Sequence, residues 1–281
     1  MKVLVTGAKG QLGTDIVLML QKNDVNVVGY GRVDLDITNL EDVRRILYTE
    51  KPDVIIHTAA YTNVDLAESE VDEAYLVNAI GTKNIAQISE EIESKLVYIS
   101  TDYVFDGTKL QPINEFECTS PIGIYGKSKL AGEQFVKDLS TRYFIVRTSW
   151  VYGNHGNNFV KTMLKLGAEK DVLKVVNDQI GSPTYTVDLS ERIIDLIQTE
   201  KYGTYHISNS EHCSWYDFAL AIFEEAKINI NVIPCSSLEF VRPAPRPAYS
   251  VMDHMGLRLY GFKEMRNWRE GLQEFLESES Q

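Results

Sequence analysis

Tyr125 and Lys129 stand four residues apart in the run Tyr125-Gly126-Lys127-Ser128-Lys129, with Ser100-Thr101-Asp102-Tyr103 lying 25 residues upstream. If the segment after Pro121 is helical, the phenol and the ammonium share one helix face, one turn apart. A lysine cation beside a phenol favours the phenolate and would pull the tyrosine pKa down from about 10. Such a tyrosine hands a proton to a carbonyl oxygen, or takes one from an alcohol, near neutral pH. That is half of a carbonyl reduction. The other half is a hydride donor, and the chain must provide a place for one.

The elements that would position it begin at residue 2. Lys2-Val3-Leu4-Val5-Thr6 reads as a short buried strand, followed by Gly7, Gly10 and Gly13, then Ile16, Val17, Met19 and Leu20 at helical spacing. This is strand, glycine turn, helix. The glycines let the backbone approach a pyrophosphate, which the N–H groups of the helix start then bind. The spacing is G-x-x-G-x-x-G rather than the general G-x-G-x-x-G. Alone it is a weak signal; on the first strand, and paired with Tyr125 and Lys129, it points to a dinucleotide.

Alternation continues beyond it. Strands are predicted at Val25–Tyr30, Asp53–His57, Leu96–Ser100 and Tyr143–Arg147, with helices at Leu40–Tyr48 and over 70–92 as one long pattern. The βαβ rhythm predicts an α/β fold, a Rossmann-type doubly wound parallel sheet with helices on both faces. Ligands bind beyond the carboxyl ends of such strands. Gly7, His57–Tyr61, Ser100–Tyr103 and Thr148–Tyr152 would all meet on that rim. The later half is less regular: helices are predicted at Phe159–Leu166, Val187–Gln198 and Trp215–Ala226, and strands at Leu173–Val176 and Gly203–Ile207, the last returning to the main sheet. Residues 1–150 are accordingly read as the dinucleotide-binding domain, with a returning segment near 181–208, and 151–281 as mainly a smaller C-terminal substrate-binding domain. Three prolines make Arg242–Pro247 an extended loop. Its two arginines leave it open whether this is a surface connector or an anion-binding loop.

Composition narrows the class. The chain has 281 residues, enough for a substantial core, and 28 Lys plus Arg against 40 Asp plus Glu give a net charge of −12. That argues against a general nucleic-acid surface while allowing a local basic pocket for one anionic small molecule. No apolar run reaches membrane-spanning length, and Met1 leads straight into a strand. Three unclustered cysteines, Cys118, Cys213 and Cys235, suit a reducing cytoplasm. The five histidines show no metal-ligand spacing, so no metal site is expected.

Cofactor choice is read at the end of the second strand, where NAD sites place an acidic residue and NADP sites an arginine. Gly29-Tyr30-Gly31-Arg32 carries no carboxylate before Asp34, so Arg32 is expected to meet a 2′-phosphate, favouring NADPH with NADH still usable. Asp36-Ile37 would follow near the adenine.

Together, Gly7-x-x-Gly10-Gln11-Leu12-Gly13, Ser100-Thr101-Asp102-Tyr103-Val104-Phe105-Asp106-Gly107 and Tyr125-Gly126-x-x-Lys129 resemble the extended short-chain dehydrogenase/reductase superfamily. Within it the chain resembles the dTDP-4-dehydrorhamnose reductase family. The stretches Ala59–Glu68, Arg147–Tyr152, Gly156–Phe159, Asn177–Thr184 and Arg246-Pro247-x-x-Ser250 match as well, over nearly the whole length. The resemblance implies NAD(P)H-dependent reduction of the C4 keto group of dTDP-4-dehydro-6-deoxy-L-mannose to dTDP-L-rhamnose, for cell-surface polysaccharide. Tyr125 would protonate the C4 oxygen. Lys129 would hold the nicotinamide ribose, and Thr101 would bond the carbonyl oxygen, although sequence leaves open whether Ser100 or Thr101 acts. The glycine run with Gln11 and Leu12, and Ala59, Ala60 and Tyr61, would line the cofactor. Asp102, Trp150, Asn158 and Arg246 would meet the sugar nucleotide, Arg246 at its diphosphate. A homodimer is an assembly the resemblance allows. Some relatives hold magnesium at a subunit contact, for which Asp15 and Glu191 would be the equivalents; carboxylates on helix faces are usually solvated.

Two rivals remain at this level. One is another sugar-nucleotide epimerase, dehydratase or reductase of the superfamily; retained NAD would mark the epimerase, and no glutamate follows Asp102 as a dehydratase would need. The other is a non-catalytic regulatory subunit with this fold, against which the intact Thr101, Tyr125 and Lys129 weigh.

Overall fold

A computed structural model describes residues 1–279. Six parallel strands form its central sheet: β1 (Lys2–Thr6), β2 (Asn26–Tyr30), β3 (Val54–His57), β4 (Lys95–Thr101), β5 (Tyr143–Thr148) and β10 (Gly203–His206). Their spatial order is β2-β1-β3-β4-β5-β10. The expected return of the 203–207 segment is met: β10 pairs with β5, Gly203 opposite Phe144. Order reverses between β1 and β3, which opens the crevice where such sheets bind ligands.

Strand residues alternate between two buried faces, which is why the strands read as nearly continuous apolar runs. Val3, Val5, Val54, Ile56, Val97 and Phe144 pack against α1 (Gln11–Lys22) and α8 (Thr186–Ile197). Leu4, Ile55, Leu96, Tyr98 and Ile145 pack against α2 (Leu40–Glu50), α5 (Thr82–Glu91) and α6 (Ile124–Leu139).

One element departs from expectation. The helical pattern over 70–92 is met as a continuous run from Val71 to Glu91, but its middle is a π-helical turn, Leu76–Gly81, between α4 (Val71–Tyr75) and α5, with α3 (Val64–Ala67) ahead of it. The cause lies in Asn78. Its side chain accepts from Tyr61 N at 2.8 Å and donates to Tyr61 O at 3.0 Å and Ser128 Oγ at 3.0 Å. A wider turn lets that side chain reach the loop after β3, and π-turns of this kind cluster at functional sites.

The smaller lobe contains β6 (Val151–Tyr152), α7 (Phe159–Glu169), β7 (Val172–Val176), β8 (Ile180–Gly181), β9 (Thr184–Tyr185), β11 (Cys213–Ser214), α9 (Trp215–Glu225), β12 (Asn231–Cys235), α10 (Met255–Leu259) and α11 (Trp268–Glu279). Its core is aromatic: Tyr152, Tyr185, Phe218, Trp268 and Phe275 pack together. After β12 the proline-rich strap 242–247 runs without helix or strand. It crosses back over the main sheet's rim, since Gly107 lies so close to Pro247 that a Cβ there would sit 2.6 Å from Pro247 Cα. Among the described residues, no helix is long and apolar enough to cross a membrane.

Candidate active site

The segment after Pro121 is helical, as the Tyr125/Lys129 reading requires, and α6 starts at Ile124. Its close approach to the end of β4 depends on Gly126: a Cβ there would lie 2.1 Å from Tyr103 O. At the end of β4, Thr101 enters a 3₁₀ turn, Asp102–Val104, accepting from Tyr103 N at 3.2 Å and donating to Asp102 Oδ1 at 3.0 Å. Tyr125 shares a hydrogen bond with Thr101 and meets the Tyr103 ring edge-on, centroids 5.6 Å apart. Ser100 instead donates to Glu133, further along α6. Tertiary structure therefore chooses Thr101 as the hydroxyl beside Tyr125.

The proton affinities differ from expectation. Lys129 does not pull the Tyr125 phenol down here; burial pushes it up to about 12, with Asp102 adding and the Thr101 bond opposing. Burial acts equally on Lys129, whose ammonium lies 4.2 Å above the Tyr98 ring and is lowered to about 7, against the pull of Glu133. Desolvation of both groups outweighs a neighbouring charge. The result is a neutral, proton-bearing phenol across the physiological range, the form a reduction needs. Asp102 is raised to about 6 by burial, opposed by bonds from Ser250 and Thr101.

A dinucleotide fits the opposite side of this cleft. Gly7 adopts φ +66°, and a Cβ on it would lie 2.7 Å from Ala59 N. A Cβ on Gly13 would lie 2.3 Å from Gly7 O, so the turn closes only with glycine. Gly10 donates to Gly7 O at 2.9 Å, and Gln11 and Leu12 begin α1, whose start carries no side-chain cap. Those first N–H groups are the anion-binding donors of such a helix. Ala59, Ala60 and Tyr61 follow β3 on the same rim, half-buried. Ile37 is buried against Gly81, and Asp36 caps its own turn by accepting from Thr38 N at 2.9 Å.

At the end of β2 the structure adds two side chains to the reading. Asp34 folds back, its Oδ2 accepting from Gly31 N at 3.1 Å and pairing with Lys9 Nζ at 3.0 Å. A carboxylate does stand there, because a tight turn brings residue 34 beside residue 31. Lys9 lies over Gly31, and Arg32 is 91% exposed, paired with Glu73 at 3.4 Å. Arg32→Ala should therefore weaken NADPH more than NADH. A charge-assisted bond is worth about 1.5–3 kcal/mol, so the ratio of the two Kd values should move about tenfold or more. Equal loss for both cofactors in a fluorescence titration would remove Arg32 from phosphate recognition.

On the sugar side the predicted residues divide. Asp102 lies in the Thr101–Tyr125 cluster. Trp150 takes φ +47°, uncommon for a bulky residue, and its indole stacks on Trp215 at 3.5 Å and covers Gly181. Arg246 reaches the cluster through Tyr103, but its guanidinium already grips Asp65 with bonds of 3.0 and 3.2 Å. Asn158 is the most occupied: its oxygen caps α7 at Lys161 N, and its amide donates to Gly153 O and to Gln11 Oε1 at 3.1 Å. It joins the glycine turn to the second lobe. Asn78 and Ser128, which join the π-turn and α6 to the loop after β3, carry no motif that marks them in the sequence.

The model for the RmlD substrate binding domain family matches residues 1–281. A dTDP-4-dehydrorhamnose reductase from Aggregatibacter actinomycetemcomitans is 43% identical over 90% of this chain and 90% of its own. The chain belongs to the dTDP-4-dehydrorhamnose reductase family. A member from Bacillus anthracis str. Ames, solved in complex with NADP, superposes with a TM-score of 0.97 at 51% identity over 99% of both chains. A Bacillus subtilis (strain 168) spore coat polysaccharide biosynthesis protein is 45% identical over 99% of this chain and 98% of its own. In the present chain, Asp15 lies 3.5 Å from His155, with burial raising its pKa. Among the described residues, no three metal-ligating side chains converge.

Proposed function

We propose that this chain reduces the C4 keto group of dTDP-4-dehydro-6-deoxy-L-mannose with NADPH, giving dTDP-L-rhamnose, and that NADH also serves. The observation that carries the chemistry is Tyr125 beside Thr101 at the end of β4, with Lys129 buried one turn further along α6. Residues 1–150 with β10 hold the cofactor, and most of 151–281 holds the sugar nucleotide. Bound NADPH supplies the hydride.

Thr101 and Tyr125 both present hydroxyls to the carbonyl oxygen, orienting it and stabilising charge as it develops. Tyr125 gives up its proton to that oxygen. The Lys129 ammonium, buried beside the ribose position, stabilises the phenolate that remains, an interaction strengthened by the low polarity around it. In the free chain Thr101 gives its one proton to Asp102 at 3.0 Å, and the hydroxyl turns it to the carbonyl oxygen when the substrate binds. Gly7, Gly13 and the open start of α1 bind the pyrophosphate.

Product analysis tests the reading. With dTDP-4-dehydro-6-deoxy-L-mannose and NADPH, NADPH absorbance should fall in step with dTDP-L-rhamnose formation, identified by NMR. No turnover with this sugar would overturn the proposal, and retention of NAD through turnover would mark an epimerase.

Arg246 supplies a second test. An acidic protein must place donors at the substrate diphosphate, and the proline-stiffened strap loses little entropy on binding. Arg246→Ala should raise KM for the dTDP sugar and leave the NADPH Kd nearly unchanged; Arg246→Lys should recover part, because lysine lacks the planar fork. An unchanged sugar KM would return the strap to the role of connector. The setting is cytoplasmic, and a homodimer is the assembly to measure by light scattering.

A further inference from the structure

Behind the catalytic face lies a carboxylate that no step above uses. Glu133, fully buried on α6, sits one turn beyond Lys129. Its Oε1 accepts from Ser100 Oγ at 2.6 Å and Arg147 Nε at 2.9 Å, and its Oε2 from Arg147 Nη2 at 2.7 Å. Lys137 Nζ lies 3.8 Å away. Arg147 is itself buried, its guanidinium 5.2 Å from the Phe105 ring centroid and its Nη1 3.3 Å from His206 Nε2. Burial holds His206 neutral, and its Nδ1 donates to Ile113 O, leaving Nε2 to accept from Arg147.

The placement is specific. Ser100 and Arg147 are register partners on β4 and β5, one step before the next pair, Thr101 and Thr148. One carboxylate thus ties the helix carrying Tyr125 and Lys129 to the strand ending in Thr101. A buried pair of this kind is often no more stable than an apolar replacement, so stability alone gives little reason for it.

We propose that Glu133 is a positioning residue for the hydride-transfer site, fixing α6 against the ends of β4 and β5 and setting a negative charge opposite the Lys129 ammonium. The groups facing Lys129 are Tyr98 from β4, His57 from β3, and Tyr125 and Glu133 on α6. Burial keeps Tyr98, Tyr125 and His57 neutral at pH 7. Glu133 is therefore the anion that supports the lysine charge, with Arg147 beyond it as the opposing cation. The catalytic consequence rests on the reductase reading; the effect on Lys129 does not.

Glu133→Gln preserves shape, removes the anion and leaves Arg147 unopposed. In a ¹³C NMR titration of lysine-labelled protein, the Lys129 transition should move to lower pH by about one unit or more. The alkaline limb of kcat should move the same way, with the plateau down about tenfold or more. An unmoved Lys129 titration would overturn the charge role. Glu133→Leu/Arg147→Met removes both charges and covers the case in which the single variant does not fold. Its melting temperature should stay near that of the native chain, with Lys129 titrating close to its native pH and kcat still reduced about tenfold or more. Native kcat in that double variant would overturn the positioning role. The NMR arm needs no substrate, so absence of turnover by the native chain would sink the reductase reading alone.

Discussion

Tyr125→Phe should fold, bind NADPH normally and lose about 10²–10⁴-fold in kcat, the usual cost of removing a positioned general acid. The substitution deletes one hydroxyl. The ring keeps its edge contact with Tyr103, and Gly126 still lets α6 approach Tyr103 O. What disappears is the bond shared with Thr101 and the proton itself. Thr101 and Lys129 remain, so a residual rate from orientation and charge should survive. Stopped-flow measurement of NADPH oxidation at pH 7, alongside an NADPH titration, separates the effects. Near-native kcat would assign the proton to another group.

Lys129→Met should act in opposite directions on activity and stability. Activity should fall by at least about 10²-fold, because the phenolate left on Tyr125 loses the cation that stabilises it. Stability at pH 7 should rise. The Lys129 pKa is lowered by burial from the usual 10.5 to about 7, so between those values the unfolded chain holds a proton that the folded chain has released. The unfolded state thus binds more protons, and native stability increases as pH rises through that window. At or below pH 7 the full cost of burying the ammonium weighs on the fold. Methionine fills similar space without charge, and about 1–4 kcal/mol of stabilisation is expected. Thermal melts of both proteins at pH 7 and pH 10 test the sign: their gap should narrow at the higher pH. A variant less stable than the native chain at pH 7 would show that the lysine contributes more through Tyr98 and Glu133 than its burial costs. Such trade-offs are usual where an active site carries strain or buried charge.

The strand–glycine–helix start, the parallel order of elements and the Tyr125/Lys129 pair are legible in the residues alone. Each of these is written in local period or spacing: apolar runs for doubly buried strands, a four-residue step for one helix turn, glycines where backbone meets backbone. The return of β10 was legible for the same reason. Tertiary structure decided what depends on approach between distant segments. It chose Thr101 over Ser100, because Ser100 is held by Glu133, about two turns further along α6 than Tyr125. It brought Asp34 back to Gly31 and laid Lys9 over both, through a turn whose closure no spacing rule encodes. It widened the middle of the 70–92 helix into a π-turn, where Asn78 reaches the backbone of Tyr61. It committed Asn158 to Gln11 and the α7 cap, and Arg246 to Asp65. Above all it reversed the expected pKa of Tyr125: the sign follows from how much water the fold excludes, and desolvation is a property of the packed molecule that no pair of residues carries alone.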